Sequence, residues 1–407
     1  GRSWAFRRGS RIDLTPFVKN GDNTVALRVT YPMGALGVIG KFEVDYADGV
    51  TDTFCVDTEW TCCENPPARF EQPDFDASAS PKAREVAKAH EGAWGPLGNG
   101  ILDVPAPSLL RKEFHAPRAI VRATAYASAL GIYELRLNGQ RVGDDLLTPG
   151  WSDYHKRVYY QTYDVTALLH EGPNAIGALL GHGWYSGYAG WGMELGKHYA
   201  TPHPRALVQV EIQYDDGTTE TIASDATWKG SSGPILCSDL YMGETCDLRK
   251  EMPGWDKPGF DAQSWRPVAV DATAPSIAVQ AYPGVQVHRI MELPARTIAE
   301  PKPGVFVFDI GQNIVGWARV RLRGGERGRK ITLRFAEALN PDGTIYVENL
   351  RGARATDELW LNSDPDIAWE PKLTFHGFRY VEVTGCPGTP PLDAVIGVVV
   401  HSDTPLT

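Results

Sequence analysis

The feature that most constrains this chain is an internal repeat. Residues 12–27 (IDLTPFVKNGDNTVAL) and 163–178 (YDVTALLHEGPNAIGA) place Asp13, Thr15, Gly21 and Asn23 in register with Asp164, Thr166, Gly172 and Asn174, an offset of 151. DGVTDTFCVDTEW (48–60) then aligns with DGTTETIASDATW (216–228). Asp48, Gly49, Asp57 and Trp60 match Asp216, Gly217, Asp225 and Trp228 at an offset of 168. FDASAS (75–80) matches FDAQSW (260–265) at 185. Three anchors in one order require two copies of one domain. Alternating strands such as TVALRV and VQVEIQY, followed by Asp-Gly turns, make that domain an antiparallel β-sandwich. An Asp-x-Thr turn can satisfy its own backbone through side-chain oxygens.

The growing offset places two insertions in the second copy. One lies between Asn174 and Asp216 and contains GHGWYSGYAGWGMELGKHY; the other lies between Asp225 and Phe260 and contains LCSDLYMGETCDLRK. The second copy also has about 45 strand-like residues before Asp164, from Leu110 to Trp151, whereas twelve residues precede Asp13. The first copy is therefore expected to be incomplete at its N-terminus. From about residue 290 the punctuation changes. Val320, Leu322, Ile331, Leu333 and Phe335 alternate with charged residues, as strands with one wet face do, and Asn340-Pro-Asp-Gly343 is a strong turn. The fold class expected is all-β. Three consecutive antiparallel β-sandwich domains, of jelly-roll or galactose-binding-like type, should cover 1–105, 106–275 and 276–407. The one modest helical candidate is PKAREVAKAHEG (81–92).

Composition narrows the partners. A net charge of −10 argues against nucleic acid, whose phosphates need clustered Lys and Arg. No apolar run approaches the ~20 residues of a membrane helix, so no membrane partner is expected. A soluble chain, cytoplasmic or periplasmic, is the expectation. Cys55, Cys62, Cys63, Cys237, Cys246 and Cys386 follow no metal spacing and are expected to be unpaired, buried thiols. There is no GxSxG elbow, HExxH helix, P-loop or dinucleotide fingerprint.

The insertions carry the chemistry. A sugar offers apolar C–H faces and a ring of hydroxyls, which aromatic rings and acids or amides receive respectively. The first insertion offers Trp184, Tyr185, Tyr188 and Trp191 with Glu194 as acceptor. The second offers Asp239, Tyr241, Glu244, Asp247 and Arg249. If both leave one end of the sandwich they can form one carbohydrate pocket; the alternative is that the aromatics pack against a neighbouring domain. In the third segment Asp309, Asn313, Glu337, Arg351, Arg354 and His376 stand in distinctive motifs, and structural ion pairs or a packed turn histidine are the expected roles.

The run LGIYELRLNGQRVGDDLLTPGWSDYHKRVYYQTYDVTALL with LGHGWYSG resembles the N-terminal β domain of bacterial α-L-rhamnosidases of glycoside hydrolase family 78. FDIGQNIVGWARVRLRGGERG, FAEALNPDGTIYVENLRGARATDELWL and FHGFRYVEVTG resemble the β-sandwich that follows it. The resemblance spans roughly 110–405, and residues 1–105 are similar to a galactose-binding-like sandwich preceding these modules. It implies L-rhamnose-containing glycosides as ligands and a catalytic (α/α)6 barrel as partner. Hydrolysis by inversion would belong to that barrel, since it needs two carboxyls ~6.5–9.5 Å apart. This chain, ending at HSDTPLT, is expected to hold no catalytic residue and not to turn over alone. The family loop Gly-Glu-Thr-Tyr-Asp-Ala-Arg reads GETCDLR here, with Cys246 in place of the aromatic. Some β modules of the family bind rhamnose with Ca2+, which takes carboxylate and carbonyl oxygens. Asp144, Asp145, Asp153 and Glu194 are ligand candidates by type, with solvated turn acids as the alternative for Asp144 and Asp145; no cofactor is otherwise required. Two other readings remain: a free-standing carbohydrate-binding protein, or a structural adaptor whose first sandwich is completed by a strand of another chain.

Overall fold

The structure is a computed structural model describing residues 14, 18–27, 38, 41–46, 51–62, 69–84, 104–189, 195–196, 198–199, 203–271 and 277–404. The chain divides into two compact units, Gly1–Leu102 and Asp103–Thr407. No described helix is long and apolar enough to cross a membrane.

In the first unit, β1 (Lys41–Asp45) and β2 (Thr51–Cys55) form an antiparallel hairpin, with Lys41 opposite Cys55 and Asp45 opposite Thr51. After it the chain turns at Asp57, whose carboxylate accepts the Glu59 N–H at 2.9 Å. The Trp60 indole donates to the Cys55 carbonyl at 3.0 Å. Of the helical candidate, Pro81–Arg84 is not helical, Lys82 forming a β-bridge with Thr61. A β-bridge partner and the proline override weak helical propensity there. The remainder, 85–92, lies outside the described residues.

The second unit begins with β3 (Ser108–Ala116), β4 (Ile120–Leu130), β5 (Ile132–Leu137) and β6 (Gln140–Arg141). It continues through β7 (Arg157–Asp164), β8 (Gly172–Gly181), β9 (Arg205–Tyr214), β10 (Thr219–Ala223) and β11 (Lys229–Ser232). Next come β12 (Ile235–Asp239), β13 (Gly243–Asp247), β14 (Arg266–Pro267) and β15 (Ala278–Ala281). Sheets ordered β10-β9-β4-β7-β15 and β14-β11-β3-β8-β5-β6 face each other as a sandwich. Their shared core is Ala123, Ala125, Ala127, Leu135, Ile176, Val210, Ile212 and Trp228. In β9 the pattern is strict: Val208, Val210, Ile212 and Tyr214 are buried while Gln209, Glu211 and Gln213 are exposed.

The last segment adds β16 (Val287–Pro294), β17 (Thr297–Lys302), β18 (Val305–Arg323) and β19 (Lys330–Ala336). The short pair β20 (Ala338–Leu339) and β21 (Ile345–Tyr346) precedes β22 (Thr356–Trp360), β23 (Asp366–Trp369), β24 (His376–Thr384) and β25 (Val395–Ser402). One ten-stranded sheet runs β12-β13-β22-β19-β24-β18-β25-β16, with β17 and β23 also on β18. A register irregularity between Asp309 and Ile314 breaks the long β18, so its first half pairs with β17 and its second with β23 and β25. The curled sheet encloses Phe306, Phe308, Ile331, Leu333, Phe335 and Phe378.

The segments expected as 106–275 and 276–407 interlock. Hairpin β12–β13, from the second insertion, joins the last sheet through a parallel pairing of β13 with β22. Conversely β15 joins the sandwich beside β7. Described cysteines Cys55, Cys62, Cys237, Cys246 and Cys386 are free thiols. Cys237 and Cys246 are buried as expected, but Cys55 and Cys62 are exposed on the hairpin and turn of the first unit, a correction to the expected burial. Cys63 lies outside the described residues.

Candidate functional site

Both insertions leave the same end of the sandwich. After β8 the chain makes a four-residue helix, Gly183–Ser186. His182 anchors it with Nδ1 2.8 Å from Ser186 Oγ and Nε2 2.9 Å from the Pro105 carbonyl. Burial holds the His182 pKa below the usual imidazole value. The loop then passes over Asp239 at the end of β12. One Asp239 oxygen accepts the Tyr188 N–H at 2.8 Å; the other accepts those of Tyr241 and Met242 at 2.8 and 3.0 Å. Gly187 is required there, because a Cβ would stand 2.5 Å from Asp239 Oδ2. Burial raises the Asp239 pKa, and the three N–H donors oppose that rise.

The hairpin holds a second buried acid. Glu244 accepts the N–H groups of Lys372 and Leu373, the closest at 3.0 Å. Its own N–H donates to Asp357 Oδ1 at 2.8 Å. His376 Nε2 lies 3.1 Å from the same oxygen while its ring stacks on Phe335, centroids 4.1 Å apart. Burial, reinforced by the nearby Asp357 charge, pushes the Glu244 carboxyl up to about 7. Asp247 caps the turn 248–250, accepting Arg249 N–H at 3.1 Å and forming a two-pronged ion pair with its guanidinium. That guanidinium lies over the Trp360 ring, 5.4 Å from its centre. Cys246, where the family motif has an aromatic, fills the core of the curled sheet instead.

The aromatics divide by exposure. Tyr185 is buried edge-on to Tyr154 and stacked on Tyr199, and Tyr188 is buried too. Trp184 is half-buried and parallel to Trp151, with centroids 6.5 Å apart and planes 5° apart. Trp151 is 66% exposed and Tyr241 is 43% exposed. Trp191 and Glu194 lie outside the described residues. Trp151 escaped the sequence reading because it precedes the insertions; an aromatic after Pro149-Gly150 in a loop was the available signal.

Most of the residues singled out in the last sheet are engaged in local polar pairs. Asp309 pairs with Arg379 through two 2.9 Å bonds. Asn313 donates to Glu337 at 2.8 Å, and Arg354 pairs with Glu358 at 2.6 Å. Arg351 follows the turn Glu348–Leu350 at φ +53.

Among the described calcium candidates, Asp144, Asp145 and Asp153 have protein partners, and Glu194 lies outside the described residues. Asp153 is bonded to Lys156 and to the His155 N–H. Asp144 and Asp145 converge on His288, whose Nε2 is 2.9 Å from Asp145 Oδ1 and whose Nδ1 is 3.4 Å from Asp403. Hydrogen bonding to Asp145 raises the His288 pKa, favouring an imidazolium there. Calcium takes six to eight oxygens, so an imidazolium between carboxylates fits an ion-pair cluster instead.

Fold and loops together define an all-β assembly of interlocked sandwich and curled sheet with aromatic loops at one end. Residues 118–290 match the family model of the alpha-L-rhamnosidase N-terminal domain, and 299–401 that of the bacterial alpha-L-rhamnosidase concanavalin-like domain. An alpha-L-rhamnosidase of Streptomyces avermitilis is 45% identical over 99% of this chain and 38% of the relative. One from Formosa agariphila is 37% identical over 76% of this chain and 33% of its own. The crystal structure of the Streptomyces avermitilis enzyme complexed with L-rhamnose aligns with a TM-score of 0.73 and 45% identity, over 91% of this chain and 35% of that one. The α-L-rhamnosidase from Dictyoglumus thermophilum aligns at 0.69 and 38% identity, over 73% and 32%. The chain belongs to the bacterial α-L-rhamnosidase family. It spans between a third and two fifths of the length of these curated relatives.

Proposed function

We propose that this chain is the sugar-holding and supporting β portion of an α-L-rhamnosidase, with terminal L-rhamnosides bound at the loop end of the sandwich. The family membership supports the substrate class. The observation that carries the location is the parallel Trp151–Trp184 pair, one ring exposed and one half-buried, above a junction where both insertions meet. An exposed indole face receives the apolar side of a deoxysugar. Asp239, Glu244, Asp247, Tyr185 and Tyr188 then act as the frame that fixes the loops, rather than as direct sugar contacts, because their side chains are buried. Trp184, Tyr241 and Arg249 remain as contacts from the original set. Hydrolysis itself, by inversion, is assigned to the helical barrel that the family resemblance implies, with this β portion buttressing it.

Titration with L-rhamnose and methyl α-L-rhamnoside, followed by Trp fluorescence and calorimetry, tests the location. Trp151→Ala and Trp184→Ala should each weaken binding about tenfold, the ~1.4 kcal/mol of one lost stacking face. Saturable binding that ignores both substitutions would remove the site. Incubation with p-nitrophenyl α-L-rhamnoside should release no nitrophenol above background; turnover would overturn the supporting role.

A further inference from the structure

Trp151 sits in the arm between β6 and β7, and its side chain makes no hydrogen bond among the described residues. With 66% of it exposed, the ring is aimed by little besides Trp184 and the backbone that carries it. That backbone is held from inside the sandwich. Gln161 on β7 is only 3% exposed, and its amide nitrogen donates to the Pro149 carbonyl at 3.2 Å. Its amide oxygen lies 2.8 Å from the Tyr133 hydroxyl on β5, which also reaches the Ala127 carbonyl at 3.0 Å. Burial holds the Tyr133 pKa well above the ordinary phenol value, so the hydroxyl keeps its proton and stays a donor. Thr148, next to Pro149 in the arm, donates its hydroxyl to the Tyr133 carbonyl at 2.8 Å. The Thr148 carbonyl accepts the Tyr133 N–H at 2.9 Å in return.

Packing alone does not call for a glutamine there. Opposite it on β4 is Ala127, a core residue, and burying an amide is costly unless its ends are bonded. Both ends of this one are. Pro149 offers an acceptor only, so the amide nitrogen must face the arm and the oxygen must face Tyr133, which leaves the side chain one orientation. The arm is fixed on the other side of that bond as well. Gly150 turns the chain at φ +88, and a Cβ there would stand 3.0 Å from the Tyr282 ring. Its carbonyl accepts from the Tyr154 hydroxyl at 3.1 Å, and its N–H donates to the Leu147 carbonyl at 3.1 Å. Each residue from Thr148 to Gly150 is therefore bonded in place, and Trp151 is the next residue.

We infer that Gln161 is the residue that positions the Trp151 ring of the sugar platform, acting through the Pro149 carbonyl. The inference rests on the Trp151–Trp184 reading proposed above, and two readouts keep the two apart. Gln161→Met conserves the shape of the side chain and removes both of its bonds. In the full chain labelled with 5-fluorotryptophan, loss of a signal in Trp151→Phe identifies the Trp151 fluorine resonance. That resonance should shift or broaden in Gln161→Met, while the one from core Trp228 stays in place. Calorimetry with methyl α-L-rhamnoside should show affinity weakened about two- to tenfold, the upper bound being loss of the whole ring. In a Trp151→Ala background the same substitution should weaken binding no further, whereas a general loosening of the sandwich would act in either background. Tyr133→Phe deprives the amide of its donor and should give the same pattern at smaller size; it serves if Gln161→Met fails to fold. A Trp151 resonance unmoved by both variants overturns the inference, as does equal weakening in the Trp151→Ala background. A displaced resonance in a chain that binds no sugar upholds the role of Gln161 and removes the platform reading instead.

Discussion

The two copies of the repeated domain carry the same hydrogen bonds at the same offsets, yet only one of them has a core among the described residues. In the first copy Asn23 accepts the Lys19 N–H and donates to the Lys19 and Gly21 carbonyls; in the second, Asn174 does so with His170 and Gly172. The Asp57–Glu59 turn and the Trp60 bond to Cys55 recur as Asp225–Thr227 and Trp228 to Ala223. Lys41 opposite Cys55 becomes Gln209 opposite Ala223, and the Thr61–Lys82 bridge becomes the Lys229–Pro267 pairing. Burial then parts them. Val18, Val25, Leu27, Tyr46 and Phe54 are exposed, while their counterparts Leu169, Ile176, Ala178, Tyr214 and Ile222 are core. Strands β3, β4 and β5 supply the cover in the second copy, and no counterpart of them stands among the described residues of the first. Local bonds build the scaffold of such a domain, and facing strands decide whether its apolar side becomes a core.

This comparison breaks most readily at matched positions. Ile176→Ala should cost about 2–5 kcal/mol by chemical denaturation, as a buried large-to-small change does, and Val25→Ala under ~1 kcal/mol. Equal costs would show that the copies are not in different states of burial. Asp239→Ala, in an insertion the first copy lacks, strands three buried N–H donors. A loss on the order of 3 kcal/mol is expected, with the Trp151–Trp184 platform loosened and sugar affinity falling alongside.

A pH series sharpens the same contrast. The Glu244 pKa, about 7 in the folded chain, exceeds its ordinary 4.5. Between those values the folded protein holds a proton the unfolded chain has released, so stability should fall as pH rises from about 4.5 to about 7 and then level. The drop should be on the order of 3 kcal/mol. Glu244→Gln should flatten it; a slope unchanged in that variant would place the titration elsewhere. The smallest effects belong to the shared turn. Asp57→Ala and Asp225→Ala should each cost about 1 kcal/mol or less, since both carboxylates are exposed and screened. Lys112 and Thr227 hold the Asp225 carboxyl down at about 2, so its contribution should fade as pH falls from 3.8 towards 2.

Much of this was legible in the residues. Spacing of Asp, Asn, Gly and Trp revealed the duplication because each motif closes its bonds within two to five residues. Alternation located the strands, as in VQVEIQY. The loops were found as well, and their convergence on Asp239 follows the expectation that both leave one end. The roles inside them were not legible. Glu244, Asp247, Tyr185 and Tyr188 have the composition of a sugar pocket, and their burial, which no local pattern encodes, is what assigns them to the frame in the proposed function. Trp151 went unnoticed because nothing local distinguishes an exposed indole from a packed indole.

The sequence by itself determined the repeat, the β class, the insertions and the family, since these rest on short-range bonding and on alternation every second residue. Tertiary structure alone decided which polar groups are already spent. Those outcomes depend on partners such as Leu373 for Glu244 or Asp239 for Tyr188, more than fifty residues away along the chain. No local pattern encodes whether a distant carbonyl or carboxylate will arrive within reach.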